Sequence, residues 1–109
     1  MSMGDDVLLQ LAATIRERRA AAPESSYTRQ LLDAGPARCG RKLGEEAIET
    51  IIAAIGENDE AVMEEAADVL YHLVVLLESR EIALADVLAV LRRRVGVSGL
   101  KEKADRTKG

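Results

Sequence analysis

The chain has 109 residues, with 15 Lys plus Arg against 19 Asp plus Glu and a formal net charge of −4. That length suits one domain, and the acidic balance argues against a general duplex-DNA binder, which needs a basic footprint. At 48% hydrophobic and 31% charged residues the chain reads as soluble and globular. Aromatics make up only 2%, which disfavours a sandwich or barrel, and Ala, Leu, Glu and Arg are good helix formers.

Taken in order, the first segment, Asp5 to Arg19, sets Val7, Leu8, Leu11, Ala12 and Ile15 at helical spacing and fades into Pro23. Ser25-Ser26-Tyr27-Thr28 offers a cap for a short second helix ending near Asp33, and Ala34-Gly35-Pro36 is a turn. A third helix runs from about Ala37 to Ile55, with Leu43, Ala47, Ile48, Ile51, Ile52 and Ile55 as a broad apolar stripe and Gly56 as its stop. Asn58 or Asp59 caps a fourth helix, about Glu60 to Arg80, whose apolar positions are Met63, Ala66, Val69, Leu70, Leu73, Val74 and Leu77. Leu84, Val87, Leu88 and Leu91 mark a fifth helix, and its basic end, Arg92 to Arg94, suits the helix dipole. Residues 1–95 therefore form one all-α domain around a central antiparallel helix pair, and 96–109 form a polar tail, frayed or docked on a partner.

The fourth helix is apolar over more than half its circumference, where a small monomer needs only a stripe of about 100°. A second buried side predicts a homodimer. The longest apolar stretch, Val69 to Leu77, is interrupted by Tyr71 and His72 and falls far short of the ~20 residues that span a bilayer. Met1 to Leu9 lacks a basic region and a cleavage site of the secretory kind, and the single Cys39 allows no internal disulfide. A cytosolic protein without a membrane or nucleic-acid partner is expected.

The chemistry-bearing residues lie on the two long helices. At about 100° per residue, Glu45, Glu46 and Glu49 fall within about 100° of one another on the third helix, and Glu64, Glu65 and Asp68 do the same on the fourth. Like charges at this spacing cost a few tenths of a kcal/mol each. A hard cation such as Mg²⁺ offsets that cost, because it takes carboxylate, water and phosphate oxygens. A solvated acidic face is the plainer alternative. Arg38 and Lys42 lie on the same side as Glu45 and Glu49 and suit phosphate, or else pair within the helix. His72, one turn past Asp68, either contacts substrate, acts as a general acid, or hydrogen-bonds locally. Cys39 reads as a small core filler.

Glu45-Glu46-x-x-Glu49, followed after fifteen residues by Glu65-x-x-Asp68, resembles the metal signature of the all-α nucleoside triphosphate pyrophosphohydrolases, the MazG-like superfamily. Within it, the chain resembles the phosphoribosyl-ATP pyrophosphohydrolase family through further stretches. These are Ser26-Tyr27-Thr28 with Leu31-Leu32, Gly35-Pro36, Lys42-Leu43-Gly44-Glu45-Glu46-Ala47-x-Glu49, Glu65-Ala66-Ala67-Asp68-x-Leu70-Tyr71-His72-Leu73, and Asp86-Val87-Leu88. The likeness covers about residues 7 to 94.

That resemblance implies a MazG-like helical bundle completed by dimerisation. It also implies Mg²⁺-dependent hydrolysis of the α–β phosphoanhydride of phosphoribosyl-ATP, to phosphoribosyl-AMP and pyrophosphate, the second step of histidine biosynthesis. The expected metal shell is Glu46, Glu49, Glu65 and Asp68, with Glu45 joining it or orienting water as general base. Arg38 and Lys42 are expected to bind phosphate, and Tyr27, Thr28 and His72 to contact substrate. Some relatives carry a fused phosphoribosyl-AMP cyclohydrolase for the next step; this chain has no room for one and lacks its cysteine ligands, so a functional coupling to a separate cyclohydrolase is expected. A house-cleaning nucleoside triphosphate pyrophosphatase and a non-catalytic helical dimer are the alternatives. The chain departs from the family pattern at Glu81, where Gly is frequent, and at Ala83, where Ser commonly caps the fifth helix. Each departure costs on the order of 1 kcal/mol at that corner.

Overall fold

Helix boundaries fall where the local chemistry sets them. In the computed structural model, which describes residues 3–95, the helices are α1 (Met3–Glu17), α2 (Tyr27–Ala34), α3 (Pro36–Gly56), α4 (Asp59–Ser79) and α5 (Leu84–Arg94). Short 3-10 turns at Arg18–Ala20 and Pro23–Ser25 join α1 to α2. Among the described residues there is no strand, and no helix is long and apolar enough to cross a membrane. The all-α expectation holds, with boundaries within about two residues of those predicted. The tail from Gly96 lies outside the described residues.

Side-chain caps start two of the helices. Ser26 Oγ accepts from the Arg29 amide at 3.1 Å, and Asn58 Oδ1 accepts from the Ala61 amide at 2.9 Å. Each such cap is worth about 1 kcal/mol. Gly35 joins α2 to α3 at φ 93°, in the positive-φ region that a side chain disfavours, and Pro36 then takes the first position of α3, where its missing N–H costs nothing. At the end of α4 the Ile82 amide reaches back to the Leu77 carbonyl and the Glu81 amide to that of Glu78, both at 2.9 Å. This is a Schellman ending with Glu81 in the left-handed position, φ 57°. Ala83 precedes α5 without a side-chain cap. The corner that departs from the family pattern is thus built as the pattern requires, from residues that fit it less well.

The core comprises Ile15 from α1, Leu31 and Leu32 from α2, Cys39 from α3, Val74 and Val75 from α4, and Leu84 and Leu88 from α5. It sits at one end of the α3–α4 pair. α1 and α5 pack on α4, and α2 bridges α3 and α4. Cys39 is fully buried and its Sγ donates to the Leu31 carbonyl at 3.2 Å, so it fills the core as expected; burial pushes its thiol pKa up. Glu78 is buried too. Its carboxylate accepts from Arg16 Nε at 3.3 Å and Arg19 Nε at 2.6 Å, and its carbonyl accepts from the Arg19 guanidinium. Paired twice, this charge ties the end of α1 to α4 instead of standing as an uncompensated buried ion.

The isoleucine stripe of α3 faces away from α4. Ile48, Ile51, Ile52 and Ile55 are 57–83% exposed, whereas Cys39 and Ala53 are buried and Leu43, Glu46 and Thr50 are half-buried. On α4, Met63 and Leu70 are exposed while Glu65 and Val69 are half-buried and His72 is buried. The pair therefore half-buries Glu46 and Glu65 between its helices, keeps Glu45, Glu49, Glu64 and Asp68 exposed, and leaves the isoleucines outward.

Candidate metal centre

α3 and α4 are the most extensively packed pair of helices, and Glu46 and Glu65 are half-buried on them while Glu49 is exposed. One carboxylate oxygen each from Glu46, Glu49 and Glu65 lies within 4.8 Å of the others. The helical spacing explains this. Glu46 and Glu49 are three residues apart on one face, and the turn at Glu57–Asn58 returns α4 so that Glu65 stands opposite them. The Oε2 of Glu65 is buried and has no hydrogen-bond partner.

Electrostatics record the crowding. Loss of hydration, then contact with Glu49, pushes the Glu65 carboxyl up to about 6, with the charges of Glu46 and Asp68 adding to it. Glu46 is raised by lost hydration, then by Glu49, with Asp68 contributing and Lys42 opposing. Three carboxyls whose oxygens converge, two of them, Glu46 and Glu65, with raised pKa values, suit a hard cation, which supplies the missing positive charge and takes oxygen ligands. The donor set, all oxygen with no soft ligand, fits a hard divalent cation.

Of the other predicted residues, Asp68 is exposed, one turn beyond Glu65; it acts on the cluster by its charge but lies outside the group of converging oxygens. Glu45 is also outside that group and instead accepts from Lys42 Nζ at 3.1 Å. That bond is the first cause that raises the Lys42 pKa. His72 is 6% exposed, and its Nδ1 is buried without a partner. The Tyr27 ring meets it edge-on at 6.3 Å between centroids, and Tyr71 does so at 4.9 Å. Burial first, then the charge of Lys42, lowers the His72 pKa against the opposing charges of Asp68 and Glu45, which favours the neutral imidazole.

Thr28 Oγ1 and the Tyr71 hydroxyl share a hydrogen bond of 2.5 Å. It fastens the first turn of α2, where Tyr27 is 49% exposed, to α4. Tyr71 was not among the residues expected to serve the site. The available signal is that both tyrosines of the chain prove to flank the single histidine, a pairing in space that spacing along one helix does not reveal. Arg38 stands apart from the carboxylates, at the rim of a small cavity with Tyr27 and Gln30.

The family model of phosphoribosyl-ATP pyrophosphohydrolase matches residues 8–95. The chain belongs to the phosphoribosyl-ATP pyrophosphohydrolase family. It is 54% identical over 100 residues to a phosphoribosyl-ATP pyrophosphatase of Dinoroseobacter shibae, covering 92% of this chain and 98% of that one. It is 52% identical over 103 residues to the protein of the same name from Ruegeria pomeroyi, covering 94% and 98%. A Nitrobacter winogradskyi phosphoribosyl-ATP pyrophosphatase is 52% identical over 98 residues, covering 90% and 84%. In this member of the phosphoribosyl-ATP pyrophosphohydrolase family, three carboxylates of the acidic motif converge between α3 and α4, and the Tyr-His segment of α4 meets Tyr27 and Thr28 of α2.

Proposed function

We propose that this chain is a phosphoribosyl-ATP pyrophosphohydrolase that cleaves the α–β phosphoanhydride of phosphoribosyl-ATP, releasing pyrophosphate and phosphoribosyl-AMP with the help of Mg²⁺. Family membership supports the substrate. The observation that carries the chemistry is the convergence of Glu46, Glu49 and Glu65, with a buried Glu65 oxygen that has no protein partner. These three residues, with Asp68 beside them, would hold the cation. When bound, Mg²⁺ neutralises phosphate charge and makes bound water more acidic.

The chain's own residues do the rest. Glu45, outside the convergent group and paired with Lys42, would orient water as a general base. Lys42 and Arg38 meet phosphate charge, Lys42 near the carboxylates and Arg38 further toward the start of α3. Neutral His72 and the exposed ring of Tyr27 contact the nucleotide, and Thr28, tied to Tyr71, holds Tyr27 in place. A second copy of the chain covers the exposed Ile48, Ile51, Ile52 and Ile55 of α3 and Met63 and Leu70 of α4, because large apolar side chains left in water in such number mark an interaction site. A two-fold dimer would bring the same face of each copy together. The product, phosphoribosyl-AMP, passes to a cyclohydrolase in the cytoplasm.

The test is pyrophosphate release from phosphoribosyl-ATP, with and without Mg²⁺, beside ATP and the deoxynucleoside triphosphates. Mg²⁺-dependent release confined to phosphoribosyl-ATP is expected. Release only from the ordinary triphosphates would assign a house-cleaning activity, and silence on all would leave a non-catalytic module.

A further inference from the structure

The carboxylates account for one end of the substrate, its triphosphate. Phosphoribosyl-ATP has a second anionic end, the 5′-phosphate of the ribose on its adenine ring, and only this end distinguishes it from ATP. A cavity of about 220 Å³ lies between α2 and the start of α3, lined by Tyr27, Gln30, Leu31, Ala34 and Arg38. We infer that this cavity receives the second ribose phosphate, with Arg38 as its phosphate ligand and the Tyr27 ring as the wall along which the purine lies. The inference rests on the proposed reaction and assigns the part of the site that selects its substrate.

Position supports it. Arg38, Lys42, Glu45 and Glu49 follow one face of α3, and Arg38 precedes Glu46 by eight residues, about 12 Å along the helix axis. Lys42, halfway between, is already engaged by Glu45. Among the described residues Arg38 has no hydrogen-bond or ion-pair partner and is exposed, so its planar fork is free for a phosphate, which it fits in bidentate fashion.

Tyr27 joins the two ends. Its ring meets His72 on the carboxylate side and also lines the cavity on the Arg38 side. A purine against this half-exposed ring would have its triphosphate toward Glu46, Glu49 and Glu65 and its second ribose toward Arg38. Size agrees as well. The cavity is smaller than the roughly 300–1,000 Å³ of a site for a whole drug-sized ligand, which suits one sugar phosphate. Gln30 Nε2 donates to the Pro23 carbonyl at 2.7 Å, leaving the amide oxygen to accept from a ribose hydroxyl.

The experiment titrates the full chain, in Mg²⁺, with phosphoribosyl-AMP, AMP and inorganic pyrophosphate, for wild type, Arg38→Ala and Arg38→Lys. Arg38→Ala is expected to weaken phosphoribosyl-AMP roughly tenfold or more, the scale of a charge-assisted contact, while AMP and pyrophosphate bind as before. Arg38→Lys should recover part of the loss, since a point charge replaces the fork. Equal weakening of AMP and phosphoribosyl-AMP, weakening of pyrophosphate instead, or no change in any of the three would overturn the assignment. Thermal melting of each variant checks that the fold is intact. Pyrophosphate release from phosphoribosyl-ATP by the wild type separates the two levels. If it is present while Arg38→Ala is unselective, only this inference falls; if it is absent, the proposed reaction falls and takes the inference with it.

Discussion

Glu49 touches both of the other carboxylates in the cluster, and its removal is the most direct test of the centre. Glu49→Gln keeps the shape and a hydrogen-bonding oxygen but removes the charge. The expected outcome is a loss of turnover of about a hundredfold or more, at least the scale seen when groups around a metal are changed, with an unaltered helical circular dichroism spectrum. A near wild-type rate in saturating Mg²⁺ would sink the metal assignment.

Glu65 supplies a pH test. Its carboxyl titrates near 6 in the fold, against an ordinary value of 4.5. Between those values the folded chain holds more proton than the unfolded one. Its contribution to stability is therefore fully present below about pH 4.5 and is lost as the pH rises through about 6. Metal ligation needs the deprotonated form, so it opposes this trend. The rise in melting temperature on adding Mg²⁺ should be larger at pH 7.5 than at pH 5. Glu65→Gln should abolish most of the difference, and an equal Mg²⁺ shift at both pH values would count against the site. At this scale the sequence was legible for Glu46, Glu49 and Glu65, because i, i+3 spacing places two carboxylates on one face. It was less so for Glu45 and Asp68. Both share that face by angle, yet small differences in rotation and level decide which oxygens converge.

At the scale of the element, five helices with their caps followed from periodicity, Pro and Gly, and the short-range rules that act there are largely independent of the rest of the chain. The corner after α4 tests those rules. Glu81 at φ 57° and the uncapped start of α5 at Ala83 each forgo on the order of 1 kcal/mol. Glu81→Gly and Ala83→Ser should each raise the melting temperature by several degrees, since about 1 kcal/mol corresponds to roughly 4–8 °C in a domain of this size. Catalytic rate should not change, because the corner contributes no residue to the carboxylate cluster. Calorimetry of the single and double variants checks both the sign and the additivity. A drop in melting temperature for Glu81→Gly would mean that the Glu81 side chain contributes more than its backbone strain costs.

For the whole molecule, the uncovered face of α3 matters most. Ile55 is 83% exposed and Ile51 58%. Such a chain leaves its most apolar surface in water unless another copy covers it. Ile51→Glu, or Ile55→Glu, should shift the mass measured by light scattering from twice that of the chain toward that of a single chain at micromolar concentration. A wild-type protein that runs as a monomer across the same range would remove the dimer from the account.

The sequence by itself determined the helices, their order and the residues with metal-binding chemistry, because helical periodicity, capping and like-charge spacing are properties of neighbouring residues. The tertiary structure decided what those patterns face. The isoleucine stripe of α3 points outward while its carboxylates meet Glu65, since α4 packs against the half of α3 that carries Cys39, Glu46, Thr50 and Ala53. Only the tertiary structure joined Thr28 to Tyr71, set Tyr27 and Tyr71 around His72 and brought Arg38 to a cavity with Tyr27. These contacts join residues on different helices, and no local pattern encodes the rotation of one helix about its axis against the next.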